Sequence, residues 1–97
     1  MGRPEYPLKL TVNGHEISRV VIDQHYKENH PELSDPLILE LVKELDGRFF
    51  AVEAVRGDFE YFRAEPLFLD SKPHRVIFLL CVGDDFLGVV NAFRVKG

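Results

Sequence analysis

Residues 74–94, HRVIFLLCVGDDFLGVVNAFR, are the part of the sequence that decides the fold. Two apolar runs, 76–82 and 86–90, stand on either side of a polar Gly-Asp-Asp segment, and this pattern predicts a β-hairpin. No other part of the chain is as continuously apolar. The hairpin is therefore expected near the centre of a sheet.

The register of this hairpin decides where its two arginines lie. A two-residue loop at Asp84 and Asp85 would place Arg75 directly opposite Arg94. Like charges opposite each other repel, so such a pair is best explained by an anion bound between the guanidinium groups. A three-residue loop would break this register. The same register sets three apolar pairs: Val82 with Leu87, Leu80 with Val89, and Val76 with Phe93.

Length and composition predict a single domain, 1–97, with one core, because the chain has 97 residues of which 45% are hydrophobic. The net charge of -4 argues against a general nucleic-acid coat protein. One cysteine, Cys81, excludes an internal disulfide and fits a reducing compartment. No apolar run approaches the roughly 20 residues that span a bilayer, and no segment resembles a signal peptide. The expected location is the cytoplasm, without contact with a membrane.

The N-terminal part of the chain predicts a second hairpin. Apolar and polar residues alternate over 8–12 and lead into Asn13-Gly14, which favours a type I′ turn because both residues tolerate positive φ angles. Residues 18–29 then have the spacing of a helix, although a strand through 20–22 is a competing interpretation.

A clearer helix follows. Asp35 is a suitable N-cap, Pro36 suits the first helical position, and Gly47 suits the C-terminal end. Apolar residues at 38, 41, 42 and 45 form one stripe, which predicts that the helix packs against the sheet.

Further strands are predicted at 49–55 and 59–63, joined by Arg56-Gly57-Asp58, with a short edge segment at 67–69. The predicted fold class is α+β: an N-terminal hairpin and one or two helices packed on one face of an antiparallel sheet of about four strands. A β-grasp domain is the alternative, suggested by the opening hairpin and helix but disfavoured by the number of later strands.

The histidines suggest acid–base chemistry more readily than metal binding. No second thiolate and no close histidine pair completes a ligand set, so neither a metal nor another cofactor is predicted. His25 lies four residues after Val21, at the border of the predicted apolar stripe, and the ordinary pKa of a histidine suits general acid–base catalysis. The competing interpretation is a surface histidine.

Arg75 and Arg94 are suited to phosphate binding because a guanidinium group stays charged and binds oxygen pairs. Tyr61 and Arg63 on the preceding strand could extend such a site by holding an unstacked base. In the competing interpretation, the arginines pair with acids such as Glu53 or Glu60 on neighbouring strands.

Three segments resemble a known family. HRVIF at 74–78 and NAFR at 91–94 are similar to the last two strands of the RelE/ParE superfamily of bacterial toxins, which belongs to the barnase/EndoU/colicin/RelE type of ribonuclease fold. Residues 25–30 resemble the helical histidine segment of some members. The resemblance implies metal-independent RNA cleavage by 2′-hydroxyl attack, and an antitoxin protein as partner. The implied site has His25 as acid or base, Arg75 and Arg94 as phosphate ligands, and His30, Tyr61 and Arg63 as substrate contacts.

Two functions therefore remain open. The first is a small cytoplasmic ribonuclease-like toxin, which requires His25 and at least one of Arg75 and Arg94 to reach one phosphate group. The second is a non-enzymatic protein-interaction domain, a homodimer joined through exposed strand edges or through the arginine-bearing face of the sheet.

Overall fold

A computed structural model describes residues 4–23 and 33–95, which form one sheet and one helix. The strands lie in the order β1-β2-β6-β5-β4-β3, with β2 and β6 parallel and all other neighbours antiparallel. The predicted α+β fold with about four strands is wrong, because the described chain is mainly a curled six-stranded sheet that one short helix covers on one face. The elements are β1 (Glu5–Val12), β2 (His15–Ile22), α1 (Asp35–Lys43), β3 (Ala54–Arg56), β4 (Phe59–Leu69), β5 (Lys72–Cys81) and β6 (Phe86–Arg94).

The first hairpin is confirmed and is longer than predicted. Asn13 and Gly14 have φ angles of 53° and 77°, as a type I′ turn requires. The helix predicted from residue 18 is wrong, because β2 continues to Ile22 between β1 and β6. The competing strand interpretation of 20–22 is confirmed, since these β-branched residues fit a strand that is paired on both sides. Residues 24–29 of the predicted helix lie outside the described part of the chain.

The second predicted helix is confirmed as α1, but its N-cap is Ser34, whose hydroxyl accepts a hydrogen bond from the N–H of Leu37. The helix ends at Lys43, with Glu44 as its C-cap, and not next to Gly47 as predicted. Asp35, in the first turn, is buried and accepts a 2.5 Å hydrogen bond from the Tyr6 hydroxyl. This bond ties the helix to β1, and it raises the pKa of Tyr6. The buried apolar stripe is the predicted one: Ile38, Leu41, Val42 and Leu45.

The central hairpin of β5 and β6 exists, but its register differs from the predicted one. The loop has four residues, 82–85, and Leu80 pairs with Leu87 rather than with Val89. An extra residue in β6 then forms a bulge, because Phe78 pairs with Val89 whereas Ile77 pairs with Asn91. A bulge exchanges the faces on which the following side chains lie. Beyond it, Arg75 therefore pairs with Phe93, and His74 pairs with Arg94.

The core lies between α1 and the inner face of the sheet. Phe78 on β5 is fully buried, stacks on Phe62 with ring centroids 5.1 Å apart, and meets the edge of Phe50 at 5.5 Å. The opposite face of the sheet, which we call the open face, is left uncovered by α1.

Candidate interaction surface

The structure separates the two arginines that the sequence predicted to face each other. Successive side chains of a strand alternate between faces, so Arg75 lies on the open face whereas His74 and its partner Arg94 belong to the other. The predicted anion site between Arg75 and Arg94 is therefore wrong. The cause is the bulge in β6, together with a loop longer than two residues.

Arg75 is also neutralised by a carboxylate. Its Nη2 donates a 2.9 Å hydrogen bond to Glu65, and its Nε lies 2.7 Å from the other Glu65 oxygen, an ion-pair contact rather than a well-angled hydrogen bond. The ion pair lowers the pKa of Glu65. The competing interpretation, in which the arginines pair with acids on neighbouring strands, is confirmed for Arg75, although its partner is Glu65 and not Glu53 or Glu60.

Tyr61 and Arg63 lie two positions apart on β4 and share the open face. Arg63 contacts Glu53 at 3.6 Å and Glu65 at 3.5 Å, so its charge is also balanced. The structure therefore brings Tyr61, Arg63 and Arg75 to one face, without Arg94. His25 and His30 lie outside the described residues.

These placements exclude a phosphate site shared by Arg75 and Arg94, which is one part of the toxin and ribonuclease interpretation. The domain is mainly β, and its two proposed phosphate ligands lie on different faces of the sheet. RNA cleavage remains a sequence-based prediction that nothing within 4–23 and 33–95 tests.

The open face carries a shallow groove of about 240 Å³. Its walls include the rings of Phe59, Tyr61 and Phe86, and its floor is Leu79 packed over Gly88. A Cβ atom at Gly88 would lie 3.0 Å from two atoms of Leu79, so this position requires glycine or a shift of the leucine. The groove is smaller than the roughly 300 Å³ at which small-molecule sites begin. A small ligand is therefore not favoured here.

A larger, open hollow of about 550 Å³ lies beside the first hairpin and is lined by three carboxylates. Two of them already have partners: Asp46 accepts a 2.7 Å hydrogen bond from the N–H of Thr11, and Asp85 accepts one from the Ser18 hydroxyl. Within the described residues no cluster of three His, Cys, Asp or Glu side chains could hold a metal ion.

Arg19 connects β1, β2 and the loop before β6. It lies 2.9 Å from Glu5 and 3.2 Å from both Asp84 and Asp85, and its guanidinium group stacks 5.1 Å from the centre of the Phe86 ring. The Ser18 hydroxyl and the Arg19 charge lower the pKa of the Asp85 carboxyl to about 2.

This network predicts a specific loss of stability in acid. Because the pKa of Asp85 is lower in the folded than in the unfolded chain, its contribution is complete above about pH 4 and is lost as the pH falls towards about 2. Asp85→Asn should flatten this part of the acid dependence of the free energy of unfolding, measured by urea titration at a series of pH values. Glu44→Gln, at the exposed C-cap residue of α1, is the control. Identical acid dependence in Asp85→Asn and the wild type would contradict the prediction.

The two edges of the sheet differ. The edge formed by β1 is blocked, because Pro7 has no N–H to donate and Lys9 is an exposed charge. The loop after α1 pairs with the other half of this edge: Gly47 N–H donates to Thr11 at 2.7 Å, and Asn13 N–H donates to Arg48 at 2.9 Å.

The edge formed by β3 is open along the described chain. Every residue of the segment 51–59 is exposed, although the segment is rich in apolar side chains. Val55 is 63% exposed, and Val82 beside the β3–β4 turn is 57% exposed. We call this surface the edge patch. It consists of four exposed apolar residues, Val52, Val55, Phe59 and Val82, and it includes both faces of the sheet at this edge, because Val55 pairs with Glu60 on the side of the inner face whereas Phe59 lies on the open face.

Local interactions hold the edge patch in an extended conformation. Gly57, with a φ angle of 59°, and Asp58 form the tight turn between β3 and β4. The N–H of Glu53 donates to Tyr61 at 2.8 Å, and the Glu53 carboxylate contacts Arg63. Val55 and Phe59 therefore lie on paired strands, whereas Val52 precedes β3 and Val82 lies in the turn after β5. The predicted strand over 49–55 is wrong for 49–53, because only 54–56 pair with β4, and the exposure of this segment was not predicted.

No family model, no curated protein and no solved structure matches this chain. Among residues 4–23 and 33–95, no helix combines the length and apolarity needed to cross a lipid bilayer.

Proposed function

We propose that the chain is a non-enzymatic protein-interaction domain that binds an extended segment of a partner along the edge of β3. The observation that supports this most strongly is the exposure of the whole segment 51–59 despite its apolar side chains. Exposed apolar patches beside an unpaired strand edge are typical of protein-binding surfaces. Because Cys81 is the only cysteine, a reducing compartment, the cytoplasm, is part of the proposal.

The backbone of β3 supports this mode of binding. Arg56 and Phe59 close a two-residue turn, and the residues that close such a turn are hydrogen-bonded to each other. Val55 is the next residue, so its N–H and C=O point away from β4 and can pair with an added strand. Covering the Val55 side chain would contribute about 1–2 kcal/mol to binding.

The open face is less suited to recognition by charge. Arg19, Arg63 and Arg75, which lie on it, are each already paired with carboxylates of the same chain. An anionic partner would have to displace these carboxylates. The edge patch requires no such exchange.

Peptides selected from a library of random extended sequences test the proposal. Selected peptides are expected to shift the backbone NMR signals of residues 52–59, and Val55→Lys should weaken their binding at least about tenfold because a lysine on an edge strand blocks pairing. Phe68→Lys is the matched control, since Phe68 is 57% exposed but lies at the opposite end of β4. Peptides that map to the β1 edge or to the open-face groove, or that bind both variants equally, would contradict the proposal.

A further inference from the structure

We infer that the partner at the β3 edge is a second copy of this chain, paired β3 to β3 about a two-fold axis at Val55. The inference rests on the proposed function, because it needs the same edge to accept a strand. The chain itself supplies such a strand: short, extended, apolar and open on one side.

Geometry limits the registers in which β3 can pair with itself. A two-fold axis perpendicular to the sheet keeps the faces of both copies together, so residues opposite each other must lie on the same face. The axis must therefore pass through a residue position and not between two residues. The candidates along the extended segment are Glu53, Ala54, Val55 and Arg56.

Three of these centres are disfavoured. Centring on Glu53 or Arg56 places like charges directly opposite each other. Centring on Ala54 requires the N–H of Glu53 to pair outward, but this group already donates to Tyr61 at 2.8 Å. Val55 remains, and its outward N–H and C=O then bond reciprocally to the same groups of the second copy.

The charge around the edge patch permits self-association. Arg56 and Arg63 offset two of the three carboxylates around the patch, which are those of Glu53, Asp58 and Glu60, so its surroundings carry about -1, whereas the chain as a whole carries -4. Two copies therefore repel each other less at this edge than their net charge would imply. In the Val55 register, Arg56 lies opposite the small side chain of Ala54 in the second copy.

The interface is small. Two backbone hydrogen bonds and the side chains along two three-residue strands cover less than the roughly 1,200 Å² that stable complexes bury. The expected dimer is therefore weak and dissociates on dilution, with a dissociation constant on the order of 10–100 µM. The two sheets would join edge to edge into one continuous sheet.

Analytical ultracentrifugation from about 1 µM to about 1 mM tests the inference. The wild type and Phe68→Lys are expected to pass from monomer to dimer, whereas Val55→Lys should remain monomeric over the whole range. Circular dichroism confirms that each variant is folded. A wild type that is monomeric throughout but still binds edge-selected peptides would overturn the second copy as partner and leave the proposed function intact. A dimer that persists in Val55→Lys would also overturn the inference.

Disulfide trapping tests the register independently. Residues that form a hydrogen-bonded antiparallel pair have Cα atoms about 5.5 Å apart, which is within the range of a disulfide. In a Cys81→Ser background, Val55→Cys should form covalent dimers in oxidised glutathione, whereas Val52→Cys should not. Equal trapping at both positions, or trapping at position 52 alone, would overturn the Val55 register.

Discussion

Phe78→Ala is expected to lower the free energy of unfolding by about 3–5 kcal/mol. The Phe78 ring is fully buried on β5, between the rings of Phe62 and Phe50, and β5 lies between β4 and β6 in the sheet. Removing the ring leaves a cavity that two neighbouring strands and the helix cannot close without moving. Urea unfolding, followed by circular dichroism, measures the loss.

Phe49→Ala is the matched control for this substitution. It removes the same ring from a side chain that is 78% exposed, so the free energy of unfolding should change by no more than about 0.5 kcal/mol. Comparable losses of stability at positions 49 and 78 would contradict the placement of Phe78 on the buried inner face of the sheet. They would also contradict the exposure of the chain that leads into the edge patch.

Leu41→Ala is expected to cost about 2–5 kcal/mol of stability. Leu41 is fully buried in the stripe through which α1 covers the inner face of the sheet. A nine-residue helix is too short to be stable by itself, so losing this contact weakens both the helix and its packing.

Glu40→Ala, one residue away on the exposed surface of the same helix, is the control for Leu41→Ala. Its ion pair with Lys43 is exposed and contributes at most about 0.5 kcal/mol. A loss at Glu40 as large as that at Leu41 would indicate that α1 packs in a different orientation.

The elements that the sequence predicts correctly are those with a local chemical cause. Asn13 and Gly14 adopt the positive φ angles that a tight turn requires, and the stripe of α1 follows from its helical period. The cap was predicted one residue too late, because Ser34 and Asp35 are both good caps and only the tertiary contact of Asp35 with Tyr6 distinguishes them.

The register of the last hairpin could not be predicted for a physical reason. Apolar residues occupy both faces of β6, so the sequence carries no alternation that would reveal the extra residue between Val89 and Asn91. That one residue moves Arg94 to the face opposite Arg75. The predicted phosphate site depended on the pairing register of β5 and β6, which the sequence does not determine.

The edge patch was missed for a related reason. The composition of 49–55 is that of a buried strand, and composition does not distinguish a central strand from an edge strand. Only the sheet order identifies β3 as the terminal strand. A local signal did exist on the other side of the sheet, where Pro7 and Lys9 mark β1 as a protected edge.

Hydrogen exchange at the backbone amide of Val55 tests most directly whether the β3 edge pairs with an added strand. We expect fast exchange in dilute protein and progressively slower exchange as the protein concentration rises or as an edge-selected peptide is added. The amide of Ala54, which faces β4, should be protected under all these conditions. Exchange at Val55 that is equally fast at every protein and peptide concentration would show that no strand is added at the β3 edge.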